Sequence, residues 1–503
     1  MPDIADLHAH CSLKSFLGAA EEKDRASVWD FIHSPFWNTL APVLDSQSNL
    51  TQAKSGGVKL FFSALTALEQ PIAKEVYYIL KDTASLFPAV SFDLMRQMKQ
   101  NEKSYFDWMV EEWHHLKANL APASVLGSFV DFNPVSPDPQ LVVNIEGAHN
   151  FYTRPGLGSA QDMAEMIQNL EAFKNDPEMP RAFYLTLTHL CNNRFANHAF
   201  AIKLVSNPDF FPIGNGINSE GYQLIDAALS TQNGYRMLID VKHMSAKSRK
   251  DYYRHTKGTV PIIASHTGFS LTSWNDKIPV AKLGDAKGNL VDHAGRREDG
   301  TQSPVVHVVY PWRRGRSAFV HHNLWSINLY KEEVDIIHKS GGIVGVSLDQ
   351  RILGYGHQGE DVFSIAEWLE VSKNGIMRVD EYGSLSTFQE YPGWGNEYLP
   401  ALHAKHVANQ LISMSLCSTV PDPYNHFALG SDFDGLIDAV DCCTDAAQYQ
   451  NFVPLLEREL FHIYKNDMGN PLKPELIQSI VQRVCFDNAL HFLERNFNAT
   501  HGF

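Results

Sequence analysis

Two histidines stand one residue apart in the segment Asp6-Leu7-His8-Ala9-His10. On an extended strand the side chains at i and i+2 lie on one side, so His8 and His10 point the same way. Other groups able to bind metal or move protons close further apolar runs: Glu146 in VVNIEGAH, His189 in YLTLTH, His243 in MLIDVKH, His266 in PIIASH and Asp432 in FALGSD. Taken singly, each reads as a backbone-bonded histidine, a helix cap or a charge paired across a loop. Taken together they need a common partner, because burying such groups costs several kcal/mol per uncompensated ion. A divalent cation is that partner. Imidazole and carboxylate without an obligatory thiolate suit Zn²⁺ first, with Fe²⁺, Mn²⁺, Co²⁺ or Ni²⁺ as other occupants. The set exceeds what one open zinc needs, and the two oxygens of a glutamate can bridge ions about 3.5 to 4 Å apart, so two divalent ions are expected.

Residues so far apart in the chain must be brought together by a repeating scaffold. Eight short apolar, β-branched runs recur at 4–10, 58–66, 141–149, 182–189, 237–243, 260–266, 342–349 and 427–434. Most are followed by a longer helical pattern, the sign of βα units in a parallel sheet. Eight such units predict an α/β fold of the (β/α)8 TIM-barrel type, with its chemistry where strands end and loops begin. Helices are expected at 160–173, 219–232, 331–339 and 402–416, from apolar residues at helical spacing. Three stretches rich in Gly, Pro, Trp and charge, 11–57, 269–325 and 350–400, exceed ordinary βα loops and read as insertions over the barrel mouth. Closing helices are expected within 470–503. No repeat or interdomain linker stands out, so residues 1–503 read as one domain.

With 503 residues, 44% hydrophobic and 20% charged, the chain has ample material for a large core. A net charge of -15 argues against nucleic acid, which calls for a basic face. The 6 cysteines, at 11, 191, 417, 442, 443 and 485, form no CxxC pair, which points to reduced thiols rather than a zinc ribbon or a disulfide framework. The opening MPDIADLHAH lacks the basic and apolar regions of a secretory leader, and no run of about 18 apolar residues could span a bilayer. A cytoplasmic protein without a membrane partner is the expectation.

The segments DLHAH, GGVKLFFSA, NIEGAH, YLTLTHLCNN, GYRMLIDVKHMS, PIIASH, GGIVGVS, LGSDFDG and FDNALHFL resemble, in order and approximate spacing over most of the chain, the renal (membrane) dipeptidases of the amidohydrolase superfamily. The resemblance implies that His8 and His10 hold one metal, His243 and His266 the other, and Glu146 bridges them. It places Asp432 near the bridging water and His189 at the substrate carbonyl or its developing oxyanion. The implied reaction is hydrolysis of the amide bond of a dipeptide or related N-acyl amino acid by a metal-bridging hydroxide, with two zinc ions as cofactors and Asp432 as general acid and base. A small-molecule substrate and a homodimer are implied as well.

Two positions depart from the family pattern. His10 stands where the family has Asp, leaving the site one unit more positive. The family's carboxylate-binding Arg is missing from Ile327-Asn328-Leu329, and Arg313, Arg314 and Arg316 in the preceding insertion read as a basic surface loop. Hydrolysis of another amide, a lactone or an ester, deamination, and a catalytically silent metal-binding barrel therefore stay open. Asp434 reads as a cap that orders the loop after it.

Overall fold

The computed structural model describes residues 2–498 apart from 34–40, 82–89, 153–160, 203–206, 275, 277–281, 288, 293, 311–312, 315–319, 355–359 and 374–398. Each of the eight apolar runs contains a strand: β1 Ile4–Ala9, β2 Val58–Leu65, β3 Gln140–Glu146, β4 Tyr184–Thr186, β5 Leu238–Asp240, β6 Ile263–Thr267, β7 Ile343–Val346 and β8 Phe427–Leu429. They pair in parallel in chain order, and β8 pairs back onto β1 to close the barrel. Such a barrel is filled by its own side chains. Ala5, Leu7, Phe62, Val142, Tyr184, Leu238, Ile263, Ile343 and Ala428, drawn from all eight strands, form one buried cluster with Phe486, Phe492 and Leu493 of the closing helices.

Seven of the eight strands stop short of the expected ends, the exception being β6, which runs to Thr267. His10, His189, His243 and Asp432 lie past the last ladder residue, in loops where the backbone is free to aim them. His243 (φ 64°) and Asp432 (φ 65°) adopt left-handed backbone, a conformation that costs a non-glycine residue about 1–3 kcal/mol and collects at functional sites. In β1 the pairing register shifts between Asp6 and Ala9, so that His8 reaches the mouth although Leu7 belongs to the interior cluster.

Helices Gln161–Asn175, Ser219–Leu229, Lys331–Lys339 and Leu399–Ser415 occupy the expected places. The closing segment runs Pro474–Gln482, a π-helical turn Arg483–Asp487, then Asn488–Asn496. The insertions after β6 and β7 contain more order than their composition promises. Strand Val305–Val309 pairs antiparallel with both Lys282–Gly284 and Glu360–Ser364, so the two insertions share one three-stranded sheet. Its apolar face has a core of its own, with Leu283, Val306, Val308, Trp325, Phe363 and Trp368. Among the described residues, no helix is long and apolar enough to cross a membrane.

Candidate metal centre

The strand ends and the loops that leave them bring all seven candidate residues to one pocket, with the Glu146 carboxylate at its centre. Glu146 Oε1 lies 3.3 Å from His8 Nε2, 3.3 Å from His243 Nε2 and 3.7 Å from His266 Nε2. Its Oε2 lies 3.1 Å from His10 Nε2 and 3.4 Å from His189 Nε2. Asp432 stands opposite, with Oδ1 3.9 Å from His8 Nε2 and 3.7 Å from His10 Nε2, and Oδ2 3.7 Å from His266 Nε2. Ligand atoms of His8, His10 and Glu146 fall within 4.8 Å of one another, as do those of Glu146, His243 and His266, and those of His8, His266 and Asp432.

Neighbouring hydrogen bonds fix which nitrogen of two rings faces inward. The Tyr184 hydroxyl donates to the Leu7 carbonyl (2.8 Å), so it accepts from His8 Nδ1 (2.8 Å). Ser265 Oγ donates to Asp240 Oδ2 (2.6 Å), so it accepts from His266 Nδ1 (2.8 Å). In both rings the proton sits on Nδ1 and the Nε2 lone pair is aimed into the pocket, the outer-shell arrangement that a metal-binding imidazole needs. His8 Nε2, His10 Nε2 and Glu146 Oε1 are buried without a hydrogen-bond partner among the described residues. Buried imidazole nitrogens and a carboxylate oxygen converging without partners fit cations, which take the place of any proton held there.

The electrostatics agree. Burial disfavours a charged His10, but the Glu146 and Asp432 carboxylates outweigh it and raise the imidazole to about 10, so an ion entering here displaces a proton. Burial holds His243 down at about 3 and His266 well below the usual imidazole range, keeping both in the neutral, ligating form. Burial works against the Glu146 carboxylate, yet His189, His8 and His10 hold it well below the ordinary range. Asp432 is raised, chiefly by burial, as a group that exchanges a proton should be.

His189 owes its aim to a residue the sequence did not single out. Its Nδ1–H donates to Glu69 Oε2 (2.8 Å), while Glu69 Oε1 accepts the backbone N–H groups of Leu190 (2.9 Å) and Cys191 (3.2 Å). Burial raises the Glu69 carboxyl, but the neighbouring His189 and His149 overcome it and bring it to about 2. His149 completes another group with ligand-forming spacing, Glu69, His149 and His189. Since His149 Nε2 donates to the Ala67 carbonyl (2.8 Å) and Glu69 already accepts three N–H groups, this group orients His189. Glu69 sits in TALEQP just before helix Gln70–Lys81, where a carboxylate looks like an ordinary cap. Asp434 does order a loop, but not the one after it: it accepts the backbone N–H groups of Gln47 (2.8 Å) and Ser48 (2.9 Å) and pairs with Lys14 Nζ (2.7 Å).

Two cavities flank the centre. One of about 400 Å³ is lined by Glu69, Tyr105, His149, Thr188, His189 and Asn192. The other, of about 100 Å³, has Lys242, His243, Asp432, Arg351, Trp325 and Ile327 on its walls. Arg313 and Arg314 form a two-residue strand against His321–His322, and Arg316 lies outside the described residues.

Residues 155–279 match a family model described as membrane dipeptidase (Peptidase family M19), which bears out the resemblance drawn from the motifs and, with it, a metal-dependent hydrolase. Among solved structures the chain is similar to dipeptidase AC, described as a metallo peptidase of family M19 (14% identity, 99% of each chain covered, TM-score 0.47). It is also similar to a metallo peptidase from Rhodobacter sphaeroides liganded with a phosphinate mimic of the dipeptide L-Ala-D-Ala (13% identity, 99% of each chain, TM-score 0.47). A third is the probable dipeptidase PvdM from Pseudomonas aeruginosa (13% identity, 89% of this chain and 88% of that one, TM-score 0.45). No curated protein matches the chain.

Proposed function

We propose that this relative of the membrane dipeptidases cleaves the amide bond of dipeptides or related N-acyl amino acids at a two-ion centre. The observation that carries the reading is the convergence of five imidazoles within 3.7 Å of the single carboxylate Glu146. In this reading His8, His10 and Glu146 hold one ion, and Glu146, His243 and His266 the other. Zinc is the metal that best suits the donor set. The ions, when bound, polarise the substrate carbonyl and make a water molecule acidic near neutral pH.

The protein's own residues do the rest. Asp432, opposite Glu146, accepts the proton of the attacking water and returns it to the leaving amine. His189 presents Nε2 to the oxygen of the scissile carbonyl as negative charge develops there, while Glu69 holds the other side of its ring. Tyr184 and Ser265 keep His8 and His266 from rotating or changing tautomer. Glu69→Gln, close in shape but uncharged, is expected to lower kcat about 10- to 100-fold with bound metal retained, as for other outer-shell partners of a catalytic imidazole. Steady-state kinetics with metal analysis of the same sample checks this. A variant with normal kcat removes Glu69 from the account.

Metal analysis of the purified protein, followed by a substrate panel with that metal restored, tests the reading. Dipeptides or N-acyl amino acids should be hydrolysed in preference to lactones, esters and simple amides. Turnover of lactones or esters alone, or a fully metallated protein silent on the whole panel, would refute the dipeptidase reading. The apolar Ile327 on the smaller cavity's wall is the feature that favours a neutral substrate of the lactone or ester kind.

A further inference from the structure

The loop after β5 leads directly into the metal centre. Asp240 Oδ1 accepts the backbone N–H of Lys242 (3.1 Å) and that of Ser265 (2.9 Å), which pins the chain one residue before His243. The Lys242 side chain is 3% exposed and forms part of the smaller cavity's wall, beside His243 and Asp432. Among the described residues its ammonium has no ion pair within 4.0 Å and no hydrogen bond. The other cation on that wall is already committed: Arg351 Nε and Nη2 bind the Asp349 carboxylate at 3.0, 3.1 and 2.7 Å.

Four carboxylates, those of Asp432, Asp349, Asp240 and Glu146, act on Lys242 through space without pairing with it directly. Asp349 is engaged by Arg351, and Asp240 by the hydroxyls of Ser265 (2.6 Å) and Thr186 (2.7 Å). Glu146 and Asp432 belong to the metal centre. An ammonium buried without a carboxylate at contact distance, beside Trp325, Ile327 and Ile352, is placed to take up an anion that enters this cavity.

We infer that Lys242 receives the carboxylate of the substrate's leaving amino acid and so selects amides whose amine half is a free α-amino acid. The inference rests on the proposed amide hydrolysis. Lys242 and His243 are consecutive residues on one cavity wall, so an anion on Lys242 lies within a few bonds of a carbonyl held at the centre. A cavity of about 100 Å³ has room for a carboxylate and a short side chain, whereas the larger cavity beyond His189 suits the acyl half. In a chain that has Ile327 where an arginine would otherwise stand, the positive charge comes instead from the neighbouring strand's loop.

The test measures calorimetric binding of 2-methyl-4-oxopentanoate, the ketomethylene counterpart of N-acetylalanine without a scissile amide, and of its neutral carboxamide to the metal-loaded protein, alongside hydrolysis of alanyl-alanine and alanyl-alaninamide. Wild type and the Lys242→Met and Lys242→Arg variants are compared at matched metal content. Wild type is expected to bind the anion about tenfold more tightly than the amide, the worth of one charge-assisted hydrogen bond. Lys242→Met should remove that preference, with the loss in KM for alanyl-alanine larger than that in kcat, and Lys242→Arg should restore it. A preference for the anion that survives in Lys242→Met overturns the inference, since the metals alone would then explain it. If wild type hydrolyses neither peptide yet shows an anion preference that Lys242→Met removes, the dipeptidase reading falls and Lys242 keeps its assignment as an anion receiver. Normal peptide hydrolysis with an unchanged preference in Lys242→Met overturns the assignment of Lys242 and leaves the dipeptidase reading standing.

Discussion

Glu146→Ala is expected to lose both ions and the hydrolytic activity in one step. Among the described residues its carboxylate is the one group within 3.7 Å of all five imidazoles, and each of its oxygens faces a different set: Oε1 meets His8, His243 and His266, while Oε2 meets His10 and His189. Taking it away removes a ligand from both candidate ion sites and leaves the histidines without the negative charge that offsets two dications. Activity should fall by roughly 10³-fold or more, about 4 kcal/mol of barrier. Metal content should fall from two ions per chain towards none. His266→Ala, which touches one of the two sites, should lose the ion shared with His243 first. Elemental analysis beside circular dichroism separates loss of metal from loss of fold. Two ions retained by a folded Glu146→Ala protein would remove Glu146 from the bridging position.

Asp432→Asn should behave in the opposite way, keeping the metal and losing turnover. Asp432 stands 3.7 Å or more from the nearest imidazole nitrogen, farther than Glu146 does from His8, His10 or His243, so it is the weaker ligand candidate and the better placed proton acceptor. An asparagine keeps the size and can still hydrogen-bond, but it cannot take a proton from water or give one to an amine. A positioned general acid or base is worth about 10² to 10⁴ in rate, and kcat should drop by that factor with two ions still bound. The left-handed backbone at Asp432 helps here, because Asn tolerates that conformation as well as Asp does. A normal kcat in Asp432→Asn would show that the proton moves by another route.

The barrel and its chemistry were legible because both leave local marks. Short apolar, β-branched runs placed all eight strands, and the residues nominated for the centre, from His8 to Asp432, lie around one pocket. The residues that aim them were not legible. Tyr184 lies 176 positions from His8, and Glu69 lies 120 from His189, so nothing in the sequence around either announces its partner. Lys242 was hidden differently: within LIDVKH it reads as a polar residue at a strand end, and its lack of a direct ion pair exists only in three dimensions. The sheet built from Lys282–Gly284, Val305–Val309 and Glu360–Ser364 escaped notice because its strands come from two insertions and pair across the chain. The Val305-Val306-His307-Val308-Val309 run was its one local mark.

Whether two cations share the Glu146 carboxylate is read out by anomalous diffraction from crystals grown with Zn²⁺, recorded on both sides of the zinc absorption edge. Two peaks about 3.5 to 4 Å apart are expected, one beside His8 and His10, the other beside His243 and His266, with Glu146 between them. A single peak, or zinc bound away from Glu146, would contradict the account.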